Sequence, residues 1–349
     1  LPEAASIEAI FLSALMQIRH FQFFTIHYIQ EGEPCIMHIL DSLDNFLYDP
    51  ILIILLLAAG FFFSFKTRFV QLRMFPESIR VVTEKPKKKG AISSFQALMV
   101  STASRVGTGN IIGVSTAICL GGYGSIFWMW LIAFIGSATA FIESTLAQVY
   151  KRKDQHGESY GGPAYYIENA LHNRTLAVVF AVSLICTYAI GFNMLASYNL
   201  QSTFSVYGFY QKSSSPWIIG AVLAVLVAWC VLGGGKRIVK ATSFLVPLMG
   251  TLYVLVSLFV LLSHVVLVPK VFEQIFADAF NFKAIFSGLA GSCLVYGIKR
   301  GLFSNEAGVG SAPNAAAAAD VSHPVKQGLV QMLSVFIDTW LICSATALM

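Results

Sequence analysis

Two stretches of this chain place glycine, hydroxyl and amide residues where apolar sequence surrounds them on both sides. The first runs Ser101-Thr102-Ala103-Ser104-Arg105-Val106-Gly107-Thr108-Gly109-Asn110-Ile111-Ile112-Gly113. The second runs from Tyr296 to Asn314 and holds Arg300, Gly301, Phe303, Ser304, Asn305, Glu306, Gly308, Gly310 and Pro313. Unwinding a helix at Gly-x-Gly-Asn frees amides that receive a carboxylate at a half-helix N-terminus, and carbonyls that ligate a bare cation. Glycine suits such a place because a ligand approaches the main chain with no Cβ in the way. Two plainer readings stay open: a small-residue helix contact through Gly109 and Gly113 for the first stretch, and an exposed loop for the second. Against the loop, Ala315 to Ala319 reads as helix, and Arg300 and Glu306 near a bilayer need a partner or a cavity.

The elements that must hold these stretches are membrane helices. Of the 349 residues, 56% are hydrophobic and 12% charged, and the mean hydropathy is +0.70, against roughly 25% charged residues in a soluble domain. Apolar runs near the length needed to cross the hydrocarbon layer recur along the chain. Spans are expected at about 46–65, 95–120, 125–150, 174–204, 216–233, 243–268, 284–320 with interruptions, and 326–349. The net charge of +5 comes from short basic segments between apolar runs, which orient a multi-pass protein by the positive-inside rule and argue against nucleic acid as a partner. Lys66 to Gly90, the loop 151–173, and Lys236, Arg237 and Lys240 between the fifth and sixth spans then face the cytoplasm. Phe69, Leu72 and Phe75 among Arg68, Arg73 and Arg80 suit either a helix on the membrane surface or a simple basic loop. Residues 1–45 form an N-terminal segment expected outside, and 46–349 the transmembrane domain.

Other features carry less. The six cysteines are scattered without metal or disulfide spacing, and the histidines show no ligand pattern. Glu143 and Asp338 sit inside apolar spans, where a buried helix partner is the plainer role and a place on a pathway the alternative. Phe127, Trp128 and Trp130 are expected to anchor the outer interface. No nucleophile-base or carboxylate grouping marks an enzyme, and no cofactor is expected.

Several motifs in fixed order then carry a resemblance. Val106-Gly107-Thr108-Gly109-Asn110, Gly121-Gly122, Phe127-Trp128-Met129-Trp130, Gly161-Gly162-Pro163 with Tyr165-Tyr166-Ile167, and Gly301-Leu302-Phe303-Ser304-Asn305-Glu306-Ala307-Gly308 with Ser311-Ala312-Pro313 resemble the alanine or glycine:cation symporter family, over about Leu40 to Met349. The resemblance implies an all-α polytopic membrane protein of leucine-transporter-like fold, two inverted five-helix repeats preceded by one extra N-terminal helix. It further implies sodium-coupled uptake of a small neutral amino acid, alanine or glycine, across a bacterial-type inner membrane by alternating access, sodium being the co-transported ion. On that resemblance the chain stops before the last core helices and would by itself bind sodium poorly and not transport.

The resemblance assigns the substrate carboxylate to the backbone N–H groups of Thr108 and Gly109, pocket walls to Phe303 and Asn305, and cation binding to the carbonyls of Ala103 and Val106 and the side chain of Asn110. Two positions depart from many members: Ala196 stands where a substrate-contacting Gln is common, and Arg105 replaces a small residue. Arg105 is expected to pair with Glu143 or Glu306, or to reach the cytoplasmic side. The runner-up reading is a transport-dead amino acid sensor or channel on the same scaffold.

Overall fold

The computed structural model describes residues 51–84, 86, 91–155, 157–282, 285 and 292–349. The expected segment 1–45 and most of the basic run Lys85 to Gly90 lie outside the described residues. Apart from one two-stranded antiparallel hairpin, β1 (Arg152–Lys153) with β2 (Ser159–Tyr160), the regular structure described is helical.

The first span is α1, Ile53–Lys66. Two short helices follow, α2 (Val70–Arg73) and α3 (Phe75–Val82). Val70 and Val81 pack with Leu98, Phe141 and Phe336, while Arg80 points outward. This basic segment is helical rather than a simple loop.

The second span is two helices rather than one. α4 (Ser94–Arg105) starts in a capping box: Ser93 Oγ accepts from the Gln96 N–H at 3.2 Å and Gln96 Oε1 accepts from the Ser93 N–H at 2.9 Å. It ends at Val106, whose ψ of 103° is extended. α5 (Gly109–Gly121) resumes the path, opening in a π-turn over Gly109–Gly113.

α6 (Ser125–Val149) is the hub of the bundle, with small residues Ala133, Gly136, Ala138 and Ala140 buried along it. After α7 (Pro163–Ala170) come α8 (Arg174–Val206), α9 (Ser215–Leu232) and α10 (Gly234–Ser263). None of α9 is buried in the protein, as suits a helix with apolar groups all round placed in lipid. α10 begins earlier than the expected 243, because Gly233 and Gly234 turn the chain at once, Gly234 with φ of 72°. Lys236, Arg237 and Lys240 therefore sit on its first turns rather than in a loop. Arg237 Nη1 donates to the Trp229 carbonyl at 2.8 Å, and Lys236 pairs with Glu158 at 2.6 Å.

An amphipathic helix unforeseen from hydropathy, α11 (Val268–Ala279), lies across the end of α6, with Ile275 and Ala279 buried. It packs on the aromatic group: Phe127 lies edge-on against Phe276, and Trp130 stacks on Phe272 at 6.2 Å while donating its Nε1–H to Ser344 Oγ at 2.8 Å. Phe127, Trp128 and Trp130 remain partly exposed, so one side of the group packs on protein while the rest stays open. α12 (Cys293–Asn305) and α13 (Ala312–Ala318) form a second broken span, and α14 (Pro324–Leu348) closes the described chain, with a π-turn over Phe336–Cys343. Among the described residues, five helices (α6, α8, α9, α10 and α14) are long and apolar enough to cross a membrane.

Candidate functional site

Close packing brings the two broken spans together. α12 lies against α6 through Gly297 and Gly301; a Cβ on Gly297 would stand 2.5 Å from the Ser125 carbonyl oxygen, and one on Gly301 3.2 Å from Met129 Cα. Such backbone proximity is how helices associate where lipid offers no hydrophobic drive. The break after α12 is sharp. Glu306 takes the left-handed conformation, with φ of 48°, and Gly308 and Gly310 follow at 89° and 87°. Glycine meets those angles freely, whereas a glutamate there is uncommon and must be held by its surroundings.

Its surroundings are hydroxyls. Glu306 Oε2 accepts from Ser104 Oγ at 2.8 Å, Tyr188 Oη at 2.9 Å and Ser311 Oγ at 2.6 Å. The side chain is thereby tied to α4, α8 and the start of α13 at once. Ser104 is on the last turn before the first break, so the two interruptions meet face to face.

Where they meet, a cavity of about 330 Å³ opens. One wall is Ala103 to Gly109, a second is Tyr188, Phe192, Asn193, Leu195 and Ala196 of α8, and the third is Phe303, Ser304 and Glu306. Phe192 stacks on Phe303 with centroids 6.1 Å apart and on Tyr188 at 4.9 Å, giving an aromatic side. Gly109 faces the Phe303 ring so closely that a Cβ would stand 3.0 Å from it. Opposite in character, a Cβ on Gly107 would meet nothing within 4 Å. Two larger hollows, of about 500 and 580 Å³, lie elsewhere, but neither places main-chain breaks and a carboxylate together.

Beside the cavity lies a second polar cluster built by α5, α12 and α14. Asn110 is fully buried. Its Nδ2 donates to Asp338 Oδ1 at 2.7 Å, Ser304 Oγ at 3.1 Å and Cys343 Sγ at 3.3 Å, and its Oδ1 accepts from the Gly107 N–H at 2.9 Å. Asp338 Oδ2 accepts from Ser304 Oγ at 2.8 Å and Thr339 Oγ1 at 3.0 Å. Thr346 Oγ1 donates to the Asn110 carbonyl at 2.8 Å. Three helices are thus joined by one carboxylate and one carboxamide.

The positions singled out from sequence fall as follows. Ala103, Val106, Thr108, Gly109 and Phe303 line the cavity. Asn110 lies beneath its floor in the Asp338 cluster. Asn305 turns away: its Oδ1 accepts from the Ala307 N–H at 2.9 Å and its amide lies beside Gly136 of α6. Ser304 and Glu306, its neighbours, take the cavity face. Arg105 is buried rather than directed to the cytoplasmic side, and among the described residues no carboxylate lies within 4 Å of it. Its Nη1 donates instead to the Gln331 carbonyl at 3.4 Å. Glu143 Oε1 accepts from the Gly308 N–H at 3.3 Å, so it braces the second break from α6. Asn193 and Tyr188 of α8 and Asp338 of α14 were not placed at the site by sequence reasoning. For Asp338 the signal was present, a carboxylate inside an apolar span.

Long apolar helices around paired helix breaks, with charged groups turned inward, define a multi-pass membrane protein with an internal polar site. The sodium:alanine symporter family matches residues 33–349, and the chain belongs to that family. It is 45% identical over 313 residues to the probable sodium/glutamine symporter GlnT of Bacillus subtilis, covering 89% of this chain and 64% of that protein. It is 46% identical over 313 residues to the putative sodium/proton-dependent alanine carrier protein YrbD of the same organism, covering 88% and 63%. With the sodium/alanine symporter AgcS of Methanococcus maripaludis the identity is 40% over 322 residues, covering 89% and 69%. The chain therefore spans less than two thirds of the length of the two Bacillus relatives.

Proposed function

We propose that this chain is the greater part of a secondary carrier that couples sodium entry to uptake of a small neutral amino acid, with alanine or glycine as substrate, in a bacterial-type plasma membrane. The observation that carries the reading is the cavity of about 330 Å³ at the junction of two helix breaks. That volume is at the low end of the range for ligand sites, roughly 300–1,000 Å³. A small solute offers little apolar area, so main-chain dipoles and a few charged groups must supply most of its affinity.

In this reading the solute carboxylate sits at the amides of Thr108 and Gly109, where the start of α5 offers N–H groups and the positive end of its dipole. Phe303 closes the apolar side, and Ala196 leaves room that a longer residue would fill. Sodium takes carbonyls of Ala103 and Val106. Asn110 provides the link between ion and solute. With its oxygen held by the Gly107 N–H it is a donor toward Asp338. Turning that oxygen toward a cation beside Asp338 and Ser304 releases the Gly107 amide to the cavity, so ion binding prepares the carboxylate site. The arrangement agrees with a leucine-transporter-like inverted repeat in which α4–α5 and α12–α13 are the paired broken helices, and alternating access moves them together against the rest.

The test is accumulation of labelled alanine by proteoliposomes holding the full-length protein. Uptake against the alanine gradient, driven by inward sodium and abolished by collapsing it, is expected. Saturable binding without accumulation would replace the carrier with a sensor on the same scaffold.

A further inference from the structure

The proposed carboxylate site accounts for one end of an amino acid; the ammonium end needs an anion or a set of carbonyls. We propose that Glu306 receives the substrate's ammonium group, an inference that rests on the amino acid reading of the cavity.

Geometry leads to this assignment. Glu306 lines the cavity across from Thr108 and Gly109. Ser104, Tyr188 and Ser311 all donate to one of its oxygens, Oε2. Three donors on a single oxygen fix the direction of the carboxylate. The other oxygen, Oε1, accepts no hydrogen bond among the described residues. Arg105, which also borders the cavity, stands more than 4 Å from it and spends its Nη1 on the Gln331 carbonyl. The cavity therefore holds one carboxylate, oriented from behind and open in front.

Its backbone strengthens the point. A glutamate in the left-handed region costs free energy that asparagine or glycine would avoid. At a neighbouring turn the chain does use glycines, Gly308 and Gly310. What the strained glutamate adds at the end of α12 is a carboxylate aimed into the break, and a primary ammonium complements it with charge and with donors for Oε1. Solutes with a carboxylate alone would leave Glu306 facing like charge. The site thus selects zwitterions over simple carboxylic acids.

Equilibrium binding to the full-length protein tests this, using labelled alanine with unlabelled alanine or propionate as competitors. Propionate is alanine without the ammonium group. In the wild type, alanine is expected to compete at least about 100-fold better than propionate. In Glu306→Gln, alanine should bind about 30-fold more weakly, with the gap to propionate falling to within about threefold, the range expected when one partner of a desolvated charge pair is removed. If Glu306→Gln does not insert, Glu306→Asn gives the same comparison with a residue that tolerates the backbone angle. Alanine affinity within about threefold of wild type, with the preference over propionate retained, overturns the assignment and leaves the amino acid site standing. A wild type without saturable alanine binding overturns the reading beneath it.

Discussion

Asn110 and Asp338, separated by 228 positions in the chain, meet at 2.7 Å in the interior, the carboxamide donating to the carboxylate. The contact joins the helix that resumes after the first break to the π-turn of the last described helix. Because Ser304 Oγ touches both residues, the second broken span is part of the same junction. A buried carboxylate is costly unless hydrogen-bonded, and here Asn110, Ser304 and Thr339 all donate to it. The site is therefore a junction between three helices.

Removing that carboxylate should weaken sodium before it weakens the fold. Asp338→Asn keeps the volume and the acceptor facing Asn110, turns the other oxygen into a donor that the Ser304 and Thr339 hydroxyls can accept by rotating, and deletes the charge. The sodium concentration for half-maximal alanine binding should therefore rise by about tenfold or more, the loss expected for a charged partner. Sodium titration of alanine binding measures it. An unchanged sodium requirement would remove Asp338 from the ion site.

Asn110→Ala should uncouple ion from solute. Without its oxygen the Gly107 N–H has no partner in the sodium-free state, and the amide is available to the solute whether or not sodium is present. The ratio of alanine affinities with and without sodium is then expected to shrink by about tenfold, a coupling of typical allosteric size. A ratio equal to that of wild type argues against the switch.

Gly109 and Gly107 should respond differently to a side chain. A Cβ at Gly109 would stand 3.0 Å from the Phe303 ring, whereas at Gly107 it meets nothing within 4 Å. Gly109→Leu is expected to abolish alanine binding in a protein that still inserts, and Gly107→Ala to keep binding within about tenfold of wild type. Equal tolerance of both changes would displace the cavity assignment.

Arg105 carries a buried positive charge two residues after Ala103 and next to Val106, whose carbonyls are proposed to ligate sodium. Arg105→Gln removes that repulsion, so sodium should bind more tightly, by about threefold to tenfold at an effective interior dielectric. Isothermal titration or sodium-dependent thermal shift reads the change; weaker sodium binding would mean that the guanidinium supports the site.

Helix contact through glycine gives a stability prediction. Gly297→Val places a branched side chain where a Cβ already stands 2.5 Å from the Ser125 carbonyl oxygen and 2.6 Å from Trp128 Cβ. Overpacking of this kind costs about 1–3 kcal/mol or more. A lower Tm in detergent, with alanine affinity reduced only in proportion to unfolded protein, is the expected outcome.

Run lengths, basic segments and the glycine-rich interruptions were legible in the sequence because each is a local property. Hydrocarbon demands a certain length of apolar helix, and it tolerates a broken backbone only inside protein, so the two interrupted spans and most helix positions could be marked in advance. The residues Ala103, Val106, Thr108, Gly109 and Phe303 at the cavity lie in the stretches that this local signal marks, while their roles were assigned by the family resemblance. Other facts arise only when distant segments meet. Nothing in Ser304-Asn305-Glu306 says that Asn305 turns toward Gly136 while Glu306, through one left-handed residue, faces the cavity. Nothing near Phe127 or Trp130 announces the short α11 that covers them, since its mixed polar and apolar face falls below a spanning signal. The partner of Asn110 is likewise a matter of three helices packed through glycine and alanine. Hydrogen bonds between such segments are decided by direction and distance in space, which a linear pattern of residue types does not contain.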